Sequence, residues 1–251
     1  MLLCQDNAGY RNLTRLVSRS YIEGQHRGQP TLSRDWLEGA TDGLIALSGG
    51  REGDVGQALL NGNPALAAQR LEQWRRLFPD RFYLELQRTG RVGEEDYLHA
   101  AVELAAAHDI PVVATNDVHF IRAEDFDAHE ARVCIHEGRT LDDPRRPKRF
   151  SEQQYLRSPQ EMAELFDDLP EALANSVEIA KRCNLELTLG KNYLPDYPVP
   201  AGMTIDEFLR EESRKGLDAR LYKFFDSNAP DFEAIRREYH ERLEMELDVI
   251  I

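Results

Sequence analysis

The sequence predicts an α/β fold followed by a helical segment, and three observations carry that reading. Compact apolar runs at residues 43–48, 82–87 and 110–116 have the length and composition of buried strands. Stretches of helical periodicity separate them, so strand and helix alternate with short connections, the pattern that parallel strands require. Beyond Phe120 the strand-like runs cease, and helices and loops remain. Alternation of this kind suits a β/α barrel or a doubly wound sheet.

Each element has a local reason. Tyr10, Leu13, Leu16, Val17, Ser20 and Tyr21 recur at helical spacing and Gly24 follows, which places a helix over 10–23. Residues 35–38 suit a short helical turn. The run 43–48 is closed by Gly49-Gly50 and reads as a strand. Helices over 54–60 and 64–78 are separated by Asn61-Gly62-Asn63, with Pro64 at a first helical position. The alternating run 82–87 is a second strand, and an alanine-rich helix over 94–108 leads into the third strand at Ile110. A helix over 127–137 comes next, then a charged, proline-broken loop over 142–149. Ser158-Pro159-Gln160-Glu161 has the form of a capping box. The helix beginning near Pro170 carries Leu173, Val177, Ala180 and Cys183 as an apolar stripe. Pro195, Pro198 and Pro200 mark an extended linker over 194–200. Helices over 204–224 and 230–251 complete the chain, and the second lacks a capping glycine, which predicts a truncated protein.

Composition narrows the function. The 251 residues hold 31 Lys and Arg against 45 Asp and Glu, a net charge of −14, which excludes a stand-alone basic DNA-binding domain. Cys4, Cys134 and Cys183 show no CxxC pairing and predict reduced thiols in a cytoplasmic protein. No apolar run approaches the about 20 residues that span a bilayer, so no membrane association is expected.

Asp117 and His119 are the candidate site. Residues two apart on an extended segment face the same side, so both are predicted to project from the carboxyl end of the third strand, where α/β folds build their sites. An oxygen and a nitrogen ligand side by side are half of a hydrolytic metal site. An N-capping aspartate beside a surface histidine is the competing reading. The other histidines, His26, His99, His108, His129, His136 and His240, form no HxH or HExxH motif. His129 and His136 share a helical face about 10 Å apart, too far for a common ion, which favours a packing role. Glu85 and Gln87 alternate on one side of their strand and face either a site or a helix layer. Ser48-Gly49-Gly50 reads as a tight turn, only weakly as a phosphate cradle. The Arg145–Arg149 cluster fits either a phosphate contact or a solvated loop offset by Asp142 and Asp143. No P-loop, dinucleotide-binding or nucleophile-elbow motif is present, nor a second paired-aspartate strand, so no catalytic residue is assigned.

Several segments carry a resemblance. They are Leu2-Leu3-Cys4-Gln5 through Gly9-Tyr10-Arg11-Asn12-Leu13, then Gly43-Leu44-Ile45-Ala46-Leu47-Ser48-Gly49-Gly50, and Val113-Ala114-Thr115-Asn116-Asp117-Val118-His119. Gln154-Tyr155-Leu156-Arg157-Ser158 to Glu161-Met162 and Ala174-Asn175-Ser176-Val177-Glu178-Ile179-Ala180 follow in order. Together they resemble the bacterial C-family replicative polymerases, the DNA polymerase III alpha subunits, and most of all the proteobacterial branch. The resemblance implies an incomplete polymerase-and-histidinol-phosphatase (PHP) domain over 1–190, part of a distorted β/α barrel. It further implies a proline-rich linker over 191–203 and the helical start of the polymerase core over 204–251. The family's first metal-binding histidines would lie upstream of Met1, and its magnesium-holding catalytic aspartates downstream of Ile251. Asp117 and His119 match the last metal motif of the PHP domain. Gly50 stands where metal-competent members carry a cysteine ligand, so the pair is expected to be vestigial and the piece structural, with no cofactor of its own. The parent would be the magnesium-dependent DNA-directed DNA polymerase of chromosome replication. Its partners would be DNA, a proofreading exonuclease subunit and a sliding clamp. The competing expectation is a metal-dependent PHP-type phosphoesterase or 3'-5' exonuclease.

Overall fold

Runs of buried aliphatic residues pair as strands because only a ladder satisfies their backbone groups away from water. In the computed structural model, which describes residues 1–251, the chain begins with β1 (Leu2–Cys4), α1 (Asn7–Ile22), β2 (Gln25–His26), β3 (Gln29–Pro30) and β4 (Leu44–Leu47). There follow α2 (Asp54–Leu60), α3 (Pro64–Leu77), β5 (Phe82–Gln87), α4 (Glu94–His108), β6 (Val112–Thr115) and α5 (Phe126–Glu137). The remaining helices are α6 (Pro159–Leu165), α7 (Pro170–Arg182), α8 (Ile205–Phe224) and α9 (Phe232–Ile250). Two compact units result, Met1–Leu187 and Thr188–Ile251.

In the first unit the sheet order is β1-β4-β5-β6. The three expected strands are present and parallel, with Leu47 opposite Tyr83 and Leu84 opposite Val112. The α/β class is therefore as predicted, with four strands paired in one sheet, and the barrel stays an implication of the resemblance. β1 was not foreseen. Three residues are too few to display a period, and only their antiparallel pairing with Leu44, Ile45 and Ala46 defines the strand. The β2–β3 hairpin turns on Arg27 and Gly28, both at positive φ, and was also not foreseen.

The helices begin where their caps place them. Asp6 accepts from the N–H groups of Ala8 and Gly9 at the start of α1. Asn63 accepts from Leu66 N–H ahead of Pro64, and Ser158 and Glu161 cap each other across the first turn of α6. A Cβ on Gly9 would meet the carbonyl oxygen of Gly43 at 1.9 Å, so α1 can cross the entry to β4 only through a glycine.

Alternation along the strands creates two sheet faces. Leu44, Ala46, Phe82, Leu84, Leu86, Val112 and Ala114 pack with Leu71 and Phe78 beside α2, α3 and α4. Ile45, Leu47, Tyr83 and Val113 meet Ile179 of α7 on the other face. Full burial of each large side chain contributes about 1.5–3 kcal/mol. The stripe expected on α7 is corrected: Ala172 and Ile179 are buried, whereas Val177 is exposed. Of the expected stripe, Leu173 and Cys183 do pack against the core, whereas Val177 and Ala180 face outward and Ala172 and Ile179 take the buried positions. The loop over 142–149 has no regular structure, as expected, but it is not simply solvated. Arg146 folds back onto the buried Glu130 of α5, and Asp143 pairs with Arg139 and Arg145.

In the second unit α8 starts at a capping box in which Thr204 Oγ1 accepts from Glu207 N–H at 3.2 Å. α8 and α9 lie antiparallel, since Arg210 reaches Asp248, Arg214 reaches Glu244 and Asp218 reaches His240. Leu221, Phe232 and Leu247 are buried in this unit, while Ile250 is exposed.

Candidate functional site

The α7-side face of the sheet is apolar at the amino ends of its strands and polar at their carboxyl ends. Along β5 the sequence on this face is Tyr83, Glu85, Gln87, and along β6 it is Val113, Thr115. Glu85 and Gln87 are both buried, and their partners Thr115, Gly49 and Arg91 place them in the strand-end cluster rather than against a helix layer. The Glu85 carboxylate accepts from Thr115 Oγ1 at 2.6 Å, from Gly49 N–H at 3.1 Å and from Gln87 Nε2 at 3.3 Å. The Tyr97 hydroxyl donates to Glu85 O at 2.7 Å, and burial pushes that phenol far above its ordinary range.

Asp117 and His119 lie just past β6, with His119 Nε2 3.5 Å from Asp117 Oδ1. The predicted proximity is found, but its cause is different. β6 ends at Thr115, and Asp117 has φ of +45°, so strand alternation does not set the geometry. Aspartate is among the few residues that adopt this left-handed conformation readily. A distant segment holds the turn in place. Asn116 Nδ2 donates to Gln153 O at 2.9 Å and Tyr155 O at 2.7 Å, while Gln154 O accepts from His119 N–H at 2.9 Å. The Gln154 side chain, fully buried, donates from Nε2 to Asp117 Oδ2 at 2.8 Å.

His119 also packs on aromatic rings, with its centroid 5.3 Å from His129 and 4.7 Å from Phe150. His129 is buried with Nε2 unpartnered, and burial followed by the nearby His119 lowers its pKa. His136 is exposed, so the two histidines of α5 have separate environments.

Sequence reasoning missed Arg91. Its Nη1 lies 3.2 Å from Asp117 Oδ2, Nη2 donates to Gln87 Oε1 at 3.0 Å, and Nε donates to Thr89 Oγ1 at 2.9 Å. Nη2 is also 3.3 Å from Oε1 of the buried Glu94. No signal in the sequence singles it out: Thr89, Arg91 and Glu94 meet only where the fold buries Glu94 at the start of α4, and Glu94 accepts from Thr89 as well.

Do these residues suit the metal that the resemblance implies? Gly50 has φ of +57°, and a Cβ there would stand 2.9 Å from Gln87 Oε1. That position therefore does look into the site, but it offers no ligand. Asp117 is engaged by Gln154 and Arg91, and no three His, Cys, Asp or Glu side chains are grouped to hold an ion. The residues present do not fit a resident metal. They can neutralise one another and fix a turn, but no nucleophile is paired with a free base.

A cleft of about 630 Å³ opens above the pair, bordered by Arg51, Lys148, Arg149 and Phe150. A larger one, about 800 Å³, lies at the amino ends of β5 and β6 beside Arg75, Arg76 and Asp109, away from the polar strand ends.

Comparison with known proteins agrees with this architecture. Residues 1–89 match the PHP domain family. Along 100% of its length the chain is 58% identical to DNA polymerase III subunit alpha of Pseudomonas aeruginosa. It is 54% identical to that of Escherichia coli K12 over 99% of its length, and 47% identical to that of Haemophilus influenzae over 99%. In each case the chain spans 21% of the relative's length. Identity at this level along the whole chain and across separate species is common descent, and the chain belongs to the DNA polymerase III alpha-subunit family.

Proposed function

We propose that this chain is the part of a bacterial replicative polymerase that carries the PHP region and the approach to the polymerase core, and that it acts there as a scaffold. The observation that carries this reading is the uninterrupted likeness to alpha subunits from Pseudomonas, Escherichia and Haemophilus over 99–100% of the chain. The four strands then belong to a distorted β/α barrel. Residues 1–190 form its domain, 191–203 a linker and 204–251 the helical entry to the core. Template-directed DNA synthesis with magnesium, and engagement of DNA, a proofreading exonuclease subunit and a sliding clamp, belong to the whole protein in the cytoplasm. No helix here is long and apolar enough to cross a membrane, in keeping with such a role.

A second reading, a metal-dependent phosphoesterase or 3'-5' exonuclease, is favoured by the Asp117–His119 pair at the strand ends. Against it stand the glycine at position 50 and the guanidinium on Asp117. The two are separated by incubating the purified chain with primed template, nucleotides and magnesium, and separately with end-labelled DNA or a simple phosphate monoester plus manganese or zinc. The scaffold reading expects neither extension nor hydrolysis, since phosphoryl transfer needs metal-bound carboxylates to position it. Metal-dependent hydrolysis that disappears in His119→Ala would put the second reading first. Extension by a homogeneous preparation would overturn the claim that the chain lacks catalytic power.

A further inference from the structure

We infer that Arg91 is the resident cation of the strand-end site, and that its guanidinium excludes divalent metal by occupying the place and supplying the charge an ion would supply. The geometry is that of an enclosed ligand. Nε, Nη1 and Nη2 each have a partner, and the partners come from four places. Gln87 ends β5, Thr89 follows it, Glu94 opens α4 and Asp117 lies beyond β6. The side chain is 12% exposed, so it is held as part of the interior. Gln87 Oε1, which accepts from Arg91 at 3.0 Å, is also the atom a side chain at position 50 would meet first. The guanidinium therefore reaches between Asp117 and the direction from which a ligand at position 50 would come.

The charges follow the same arrangement. Glu94 is 2% exposed, and a buried carboxylate is tolerated only when neutralised and hydrogen-bonded. Arg91 meets Glu94 and Asp117 together, and arginine stays charged throughout the accessible pH range. A divalent ion on Asp117 would face a fixed positive charge within a few ångströms in a partly dry site, where repulsion is weakly screened. A missing ligand alone predicts something different: adding the ligand back would be sufficient to bind metal.

The test uses the full 251-residue chain in four forms: unchanged, Gly50→Cys, Arg91→Gln and Arg91→Gln/Asp117→Asn. Zinc and manganese binding are read by calorimetry, and melting temperature is read with and without millimolar manganese. The unchanged chain and Gly50→Cys are expected to show no ion-dependent shift. Arg91→Gln is expected to melt lower, to bind ions at least about tenfold more tightly than the unchanged chain, and to recover part of the loss when the ion is added. The Asp117→Asn double variant should lose that recovery. If Arg91→Gln does not fold, Arg91→Lys keeps the cation, and a folded, ion-insensitive lysine variant is the supporting result. Ion-responsive melting of the lysine variant, stoichiometric zinc on Gly50→Cys, or indifference of folded Arg91→Gln to every ion would each overturn the inference.

Discussion

Residues 1–187 completely bury Leu44, Ile45, Leu71, Phe78, Leu84 and Phe166, whereas residues 188–251 bury only Leu221, Phe232 and Leu247 to a similar degree. The second region instead spends its charged residues on pairing between α8 and α9. Arg210 and Arg214 meet Glu244 and Asp248, and Arg236 and His240 meet Asp218. These pairs are partly solvated, which keeps each of them modest. Helices of 20 and 19 residues have some intrinsic stability but draw most of it from packing. The first region therefore rests on a dry two-faced sheet, and the second on a narrow apolar seam within a polar hairpin.

The comparison breaks most visibly in the core. Phe78→Ala should destabilise the first region by about 3–5 kcal/mol, because a wholly buried ring leaves a cavity that rigid neighbours cannot fill. Urea unfolding followed through the strand amides measures it, and a loss below about 1 kcal/mol would mean that the core is not close-packed. Leu247→Ala should cost less, about 2–3 kcal/mol at the lower end of the range for such truncations, since only Leu221 and Phe232 are buried with it in this region. Hydrogen exchange along α9 reads this loss. A cost equal to that of Phe78→Ala would erase the distinction between the regions.

Acid should act on a specific link in the first region. The Tyr155 hydroxyl, then the Ser158 backbone and side chain, hold Glu161 from its ordinary 4.5 down to about 2. A depressed carboxylate contributes stability that is fully present above its unfolded value of 4.5 and is lost as pH falls through about 2. Glu161→Gln should therefore melt lower than the parent at neutral pH, and the two melting curves should converge towards pH 2. Parallel curves across that window would show that the carboxylate is not the linked group. The smallest effect belongs to the hairpin. Arg214→Gln should shift its melting only slightly, and molar salt should remove most of the difference between the two chains, because the pair with Glu244 is solvent-exposed.

The sequence by itself determined whatever depends on neighbours along the chain. The caps at Asn63 and Ser158 and the alternation from Phe82 to Gln87 place α3, α6 and β5 where they were expected, because capping and periodicity act within a turn or a strand. The types of the candidate residues, Asp117 and His119, were equally legible, as was the family to which they belong. Tertiary structure alone decided how they are used. β1 exists because β4 offers it a partner, and the Asp117 turn holds because Gln154, 37 positions away, donates to it. Arg91 looks like an ordinary loop arginine until Gln87, Glu94 and Asp117 converge on it, just as Arg146 looks solvated until Glu130 meets it. Charge neutralisation inside a fold depends on distance through space and on exclusion of water, and neither is written in the spacing of residues along a chain.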